Sequence, residues 1–158
     1  MIEKLSKRMM TIASLANDDI PTYDLCCDHG LIGIAVMELK KSRELHLIDR
    51  VPQIIQTLEA NILKYAQGKP IIARCLDANQ IKVPSTRANI IIAGVGAKKI
   101  TSILRSIYPG GIMPHKLILN PCASSKSLEK YLENLGWKIT SHQVTERGVQ
   151  HRILECEA

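Results

Sequence analysis

Short runs of aliphatic and β-branched residues alternate with segments of helical periodicity along most of this 158-residue chain. The predicted strands are residues 23–27, 44–48, 71–76, 88–93 and 116–119. The predicted helices are residues 3–16, 31–40, 51–65, 98–107 and 125–135. Helices follow four of the five strands directly, and we interpret the alternation as five strand–helix units, which are typical of a doubly wound, mostly parallel sheet.

The last two predicted strands, 137–144 and 149–155, follow each other without a helix between them. A turn containing Gly148 joins them, so they are predicted to pair antiparallel. A parallel sheet that ends in such a pair resembles the Rossmann-like, seven-stranded α/β sheet of class I methyltransferases, whose last strand is antiparallel. We therefore expect that architecture in one domain spanning residues 1–158.

The composition is that of a globular protein, with 46% hydrophobic and 23% charged residues. No apolar run approaches the roughly 20 residues of a membrane span, and the amino terminus lacks the apolar core of a secretory signal. A cytoplasmic protein that does not contact a membrane is therefore expected. The net charge of +6 favours, to a small degree, a polyanionic partner such as RNA.

The cysteines are Cys26, Cys27, Cys75, Cys122 and Cys156. None of them forms a C-x-x-C pair, so no metal site is expected. Cys26 and Cys75 lie in apolar, strand-like runs, which favours reduced and buried thiols.

The turn after the first predicted strand is acidic and contains Asp24, Cys26, Asp28 and Gly30. Small residues here would let backbone amides approach a ligand at the carboxyl end of the strand. The fingerprint G-x-G-x-x-G is absent, which argues against a pyrophosphate-containing cofactor such as NAD. S-adenosylmethionine has no phosphate and carries a cationic sulfonium, so an acidic turn suits it better. An alternative role for Asp28 is to cap the following helix.

Acidic residues also end the next two predicted strands. Asp49 follows the second strand, 25 positions after Asp24, near the offset expected for a carboxylate that binds ribose hydroxyls. Asp77 follows the third strand and is placed to accept a hydrogen bond from an adenine amine. Their neighbours Arg50 and Ala78 are assigned to the same cofactor site. The alternative for each carboxylate is a solvated position at a strand end.

The fourth strand runs into a glycine-containing loop. Ala93 and Gly94 are assigned to the cofactor site, and Gly96 to the substrate, because glycine permits close approach of a ligand. The alternative is that Gly94 and Gly96 only form a tight turn before the next helix, which glycine would serve equally well. Cationic and polar side chains that could contact the substrate are Lys7, Arg8, Lys98, Lys99 and Asn120. Charged runs also occur on solvated faces without a partner, and Asn120 could simply belong to a strand-to-helix turn.

Several sequence blocks together resemble the bacterial tRNA (adenine-22-N1)-methyltransferase family. They are L-S-K-R-M-M-T-I-A at 5–13, D-L-C-C-D-H-G-L at 24–31, L-D-A-N at 76–79, I-A-G-V-G-A at 92–97 and the L-I-L-N-P that ends at Pro121. The resemblance implies S-adenosylmethionine as cofactor, tRNA as partner and adenine N1 as methyl acceptor. It leaves Asp28, beside the transferred methyl, as the candidate catalytic residue.

The chain departs from this family at several positions. Cys26 replaces a glycine of the cofactor turn, and Val95 and Ala97 alter the glycine loop. The family's C-terminal helical extension is not present in these 158 residues. The departures motivate an alternative function, a degenerate methyltransferase fold that binds nucleotide or protein without catalysis. A nicotinamide-dependent oxidoreductase is a third hypothesis, disfavoured by the absent glycine fingerprint.

Overall fold

The structure, a computed structural model, describes residues 2, 5–39 and 41–158 and contains a seven-stranded sheet with the order β3-β2-β1-β4-β5-β7-β6. The strands are β1 Ile20–Leu25, β2 Ser42–Asp49, β3 Ile71–Cys75, β4 Asn89–Val95, β5 Lys116–Pro121, β6 Lys138–Glu146 and β7 Val149–Glu157. Strands β1 to β5 are parallel, and β7 pairs antiparallel with both β5 and β6. The predicted fold class and the antiparallel last strand are therefore confirmed.

The helices are α1 Lys7–Ser14, α2 Leu31–Glu38, α3 Pro52–Tyr65, α4 Ala97–Ile107 and α5 Lys126–Asn134. The first helix is shorter than the predicted 3–16, and residues 3, 4 and 40 of the predicted helices lie outside the described residues. The expectation of five complete strand–helix units is wrong at the third unit. After β3 the chain forms only a single 3-10 turn, Ala78–Gln80, and then an irregular segment with Pro84 that leads to β4.

The central strand β4 shows how the sheet is buried on both faces. Ile90 and Ile92 face the apolar layer formed with α4 and α5, whereas Ile91 faces the layer formed with α1 and α2. All three side chains are fully buried. A continuous apolar run is what a strand between two helical layers requires. Since helices cover the faces, a ligand can approach the strands at the sheet's carboxyl edge.

Two of the five thiols contradict the expectation of burial. Cys75 and Cys122 are exposed, Cys26 is half-buried, and Cys27 and Cys156 are buried. Cys75 ends β3, an edge strand of the sheet, and Cys122 lies in the turn after β5. Both positions lie at the end of a strand. Among the described residues, no helix has the length and apolar character needed to cross a membrane.

Candidate ligand-binding site

A cavity of about 340 Å³ opens at the carboxyl ends of β1, β2 and β4. Its volume lies within the range of sites for small organic ligands. In the strand order, β1 lies between β2 and β4, so the cavity sits where the direction of the chain across the sheet reverses. The residues assigned from the sequence that line it are Arg8, Asp24, Cys26, Asp28, Asp49, Arg50, Asp77, Ala78, Ala93, Gly94 and Lys99. Gly30, Gly96, Lys7, Lys98 and Asn120 are not among the lining residues.

Asp49 is held rigidly at the tip of β2. Its Oδ2 accepts the backbone N–H of Asp28 at 3.1 Å, and its Oδ1 accepts the backbone N–H of Val51 at 3.1 Å. The residue is 9% exposed, so the alternative of a solvated strand-end carboxylate is wrong. Because each carboxylate oxygen has two acceptor positions, both oxygens can still accept hydrogen bonds from a ligand in the cavity.

The turn after β1 contains three residues in the left-handed region. Cys26, Asp28 and Gly30 have φ values of 59°, 51° and 74°. Two non-glycine residues in this region cost roughly 1–3 kcal/mol each, a strain that is common where backbone is shaped around a ligand. Cys26 thus occupies a conformation that glycine adopts without strain, at the position where the resembling family has glycine.

Gly30 does not line the cavity and contributes instead to the packing of α2 against α3. It is the N-cap of α2, and a Cβ at this position would lie 2.1 Å from Leu58 Cδ1 on α3. Only glycine therefore permits this approach of α3 to the turn. The proposed capping role of Asp28 is wrong, since Gly30 is the N-cap and the first-turn N–H of Gly33 donates to the Asp24 carboxylate. The Asp28 side chain is 66% exposed and faces the cavity instead.

Asp24 is a buried carboxyl group beneath the cavity. It is 2% exposed, and its Oδ2 accepts the backbone N–H of Gly33 at 3.1 Å. Burial raises the pKa of Asp24 to about 7, against the opposing effect of the Gly33 hydrogen bond and with a further rise from the charges of Asp49 and Asp28. Its protonation state consequently changes near neutral pH, and a cation in the cavity would favour the carboxylate.

Asp77 begins the 3-10 turn after β3. Its Oδ1 accepts from the backbone N–H of Asn79 at 2.9 Å and from Asn79 Nδ2 at 3.1 Å. The backbone hydrogen bond is the largest cause that lowers the pKa of Asp77, so the side chain is a carboxylate at neutral pH. The Asn79 Oδ1 in turn accepts hydroxyl hydrogen bonds from Ser102 and Ser106 of α4. These contacts fix Asp77 relative to the next helix.

The end of β4 and the loop after it leave room on one side of the cavity. Gly94 has φ of 77°, and a Cβ built there would meet no atom within 4 Å. The Lys99 side chain, on the first turn of α4, lines the cavity. Gly96 is the N-cap of α4, and Lys98 faces a groove between α4 and α5. The glycine loop thus supplies open space and one cation.

Helix α1 closes the cavity from the other side. Arg8 lines the cavity, and its Nη1 donates a hydrogen bond to Asn120 Oδ1 at 2.7 Å. Asn120 Nδ2 donates to the Arg152 carbonyl at 2.9 Å. The backbone N–H of Arg8 donates to the Glu146 carboxylate on β6. Asn120 therefore positions Arg8 at the cavity without lining it.

Several apolar and polar lining residues were not assigned from the sequence. They are Met9, Cys27, His29, Leu31, Ile32, Ile48, Val51, Ile54, Leu76 and Val95. Val51 and Ile54 could have been found, because they follow Asp49 closely and lie one helical turn apart. Met9 reaches the cavity only through the packing of α1, which no local pattern reveals. Among the described residues, no group of three His, Cys, Asp or Glu side chains could hold a metal ion.

Comparison with known proteins gives a family and a set of similar folds. Residues 5–154 match the family described as methyltransferase domain. No curated protein sequence matches the chain. The B. subtilis m1A22 tRNA methyltransferase TrmK has a TM-score of 0.86 and 22% identity, with 98% of this chain and 67% of that chain covered.

Two ligand-bound structures are also similar. TrmK of M. capricolum, in complex with S-adenosyl-homocysteine, has a TM-score of 0.83 and 18% identity, covering 97% of this chain and 68% of that one. Magnesium protoporphyrin IX methyltransferase of Synechocystis PCC 6803, with bound S-adenosylmethionine, has a TM-score of 0.72 and 15% identity, covering 95% and 74%. At these identities the similarity shows a shared fold.

Proposed function

The chain belongs to the methyltransferase domain family, and from this premise we propose that it transfers a methyl group from S-adenosylmethionine to RNA, with N1 of a tRNA adenine as acceptor. The observation that carries the proposal is the cavity at the carboxyl edge, where Asp24, Asp49 and Asp77 from three successive strands meet beside Gly94. The tRNA methyltransferases with similar folds support the choice of RNA as substrate.

The residues of the cavity fit this cofactor. Asp49 has two fixed carboxylate oxygens, which would accept hydrogen bonds from a pair of ribose hydroxyls. Asp77 has one oxygen engaged by Asn79, and its second oxygen can accept from an adenine amine. The buried carboxyl of Asp24 suits the ammonium group of the methionine part. Acidic groups in these positions favour a cationic ligand over a pyrophosphate.

Bound S-adenosylmethionine would supply an electrophilic methyl group. Adenine N1 already has a lone pair, so the protein need not deprotonate it before attack. The main contribution of the protein is to hold acceptor and donor close and aligned. The space beside Gly94 admits the target base, and the exposed Asp28 carboxylate at the cavity mouth would orient its exocyclic amine or accept a proton from it. A carboxylate there also stabilises positive charge that develops on the methylated ring.

Cationic residues around the cavity suit an RNA substrate. Arg8 and Lys99 line the cavity, whereas Lys7 and Lys98 lie in grooves on either side of it. Together with the net charge of +6, this distribution favours contact with phosphates on both sides of the target base.

Calorimetric titration and methyl transfer together test the proposal. S-adenosylmethionine and S-adenosylhomocysteine should bind, NAD should not, and tritiated methyl groups should appear on unmodified tRNA at low salt. Binding of NAD alone would overturn the proposal in favour of an oxidoreductase. Cofactor binding without labelling of any RNA would support the non-catalytic binding module.

The Asp28→Asn variant tests the catalytic assignment. It keeps the size of the side chain and the left-handed backbone but removes the basicity, so turnover should fall by about 10²-fold with cofactor affinity unchanged. Asp19→Asn is a matched control, because Asp19 is also exposed with positive φ (57°) and lies before β1, at the opposite edge of the sheet. Equal labelling by both variants would remove Asp28 from the mechanism.

A further inference from the structure

A second groove, of about 590 Å³, runs between α1 and the turn that joins β6 and β7. It shares Arg8 and Met9 with the cofactor cavity, so the two spaces adjoin along α1. Strand β6 runs parallel to β5, which places the β6–β7 turn at the same carboxyl edge of the sheet as the cavity. A long ligand that enters the cavity can therefore continue into this groove.

The charge of the groove is predominantly positive. Lys7, Arg8 and Arg147 line it together with a single carboxylate, that of Glu146. The hydrogen bond from the Arg8 backbone N–H is the largest of the effects that lower the pKa of Glu146. This carboxylate is therefore engaged by α1. Lys7 and Arg147 are exposed and present their charges to solvent. Val149, 56% exposed, adds an apolar surface to the groove.

The backbone that presents Arg147 is rigid. Strands β6 and β7 pair continuously up to the Glu146–Val149 pair, which leaves Arg147 and Gly148 as a two-residue turn. Both turn residues have positive φ, 49° and 77°, as in the type I′ turn that matches the twist of a hairpin. The Arg8–Glu146 hydrogen bond ties α1 to this hairpin. A preformed arrangement of this kind loses little conformational entropy when a ligand binds.

We propose that this groove binds the phosphate backbone of the RNA strand that flanks the methylated base. The inference rests on the proposed function, because the strand must continue outward from a base held in the cavity. Lys7 and Arg147 contact successive phosphates, and Val149 packs against a ribose or base face. These contacts set the position of the strand and carry no sequence information of their own.

The double variant Lys7→Gln/Arg147→Asn tests the groove. Asn at position 147 tolerates the left-handed backbone, so the turn should keep its shape. The control is Arg43→Gln/Arg87→Gln, which removes the same charge from two exposed residues at the amino edge of the sheet. Binding of unmodified tRNA transcripts is measured by fluorescence anisotropy between about 50 and 200 mM salt. Affinity for S-adenosylhomocysteine and the melting temperature are measured on the same samples.

The groove variant should reduce the slope of log K against log salt by about 1.5, since each lost phosphate contact contributes roughly 0.7–0.9. The control should keep the wild-type slope, and both variants should bind S-adenosylhomocysteine as the wild type does. Equal slopes for the two variants, with methyl transfer by the wild type intact, would overturn the groove assignment alone. Binding of poly-glutamate is measured in the same way as a test for an acidic protein partner. If the groove variant binds poly-glutamate more weakly than the wild type but keeps the wild-type tRNA slope, the groove binds protein and the RNA assignment is overturned. A wild type that neither binds nor methylates tRNA would refute the proposed function together with this inference.

Discussion

Asp24→Asn exchanges a buried carboxyl group for an amide of nearly the same shape. Asp24 is 2% exposed, and its Oδ2 accepts the Gly33 backbone N–H. The oxygen of an amide can keep that hydrogen bond, so the packing survives while the titratable proton is lost. The variant therefore isolates the effect of a buried charge on stability.

The expected effect follows from the difference in pKa between the two states. The pKa of Asp24 is about 7 in the folded chain, whereas an unfolded Asp has a pKa of about 3.9. Because the folded pKa is the higher one, the folded state binds the proton more tightly, and stability falls as the pH rises from about 4 through about 7. One pKa unit corresponds to about 1.36 kcal/mol, so Asp24 should lower the free energy of unfolding by roughly 2.5 kcal/mol between pH 5 and pH 8.

Urea unfolding at pH 5 and pH 8 measures this difference directly. The wild type should lose roughly 2.5 kcal/mol more than Asp24→Asn over this interval, and the subtraction cancels other groups that titrate in the same range. Asp19→Asn, at an exposed carboxylate, should follow the wild type. If Asp24→Asn shows the same pH dependence as the wild type, Asp24 does not retain its proton in the folded chain and the reasoning fails.

Three further substitutions test the cavity. Asp49→Ala should weaken S-adenosylhomocysteine binding by roughly 1.5–3 kcal/mol in calorimetry, and an unchanged affinity would exclude Asp49 from the site. The variant should also lower the free energy of unfolding by about 1–3 kcal/mol, because two backbone N–H groups lose their acceptor. Gly30→Ala should destabilise by several kcal/mol more than Gly68→Ala, since both glycines have positive φ but only Gly30 would place a Cβ against Leu58; equal melting temperatures would contradict this. Cys26→Gly should change the free energy of unfolding by less than about 1 kcal/mol, because relief of a left-handed φ offsets the greater entropy of the unfolded chain; a large loss in urea unfolding would show that the thiol has an essential packing role.

The acidic edge of the sheet was predictable from the sequence alone. Asp24, Asp49 and Asp77 lie at or just after the ends of three strands that short-range periodicity reveals. Since parallel strands end at the same edge of a sheet, these side chains had to meet there whatever the details of packing. The antiparallel last strand followed equally from two strand patterns separated by a short turn with Gly148.

Only the tertiary structure decided which segments cover that edge, and how deeply its carboxyl groups are buried. Arg8 reaches Asn120 and Glu146, which are 112 and 138 positions away in the chain. The packing of α2 buries Asp24 and shifts its pKa, although its sequence neighbours look like those of any strand-end carboxylate. Local periodicity shows which face of a segment is buried, but the distant segment that covers this face is chosen by packing across the whole chain. The cavity wall formed by α1 and the groove beside it therefore became visible only in the folded structure.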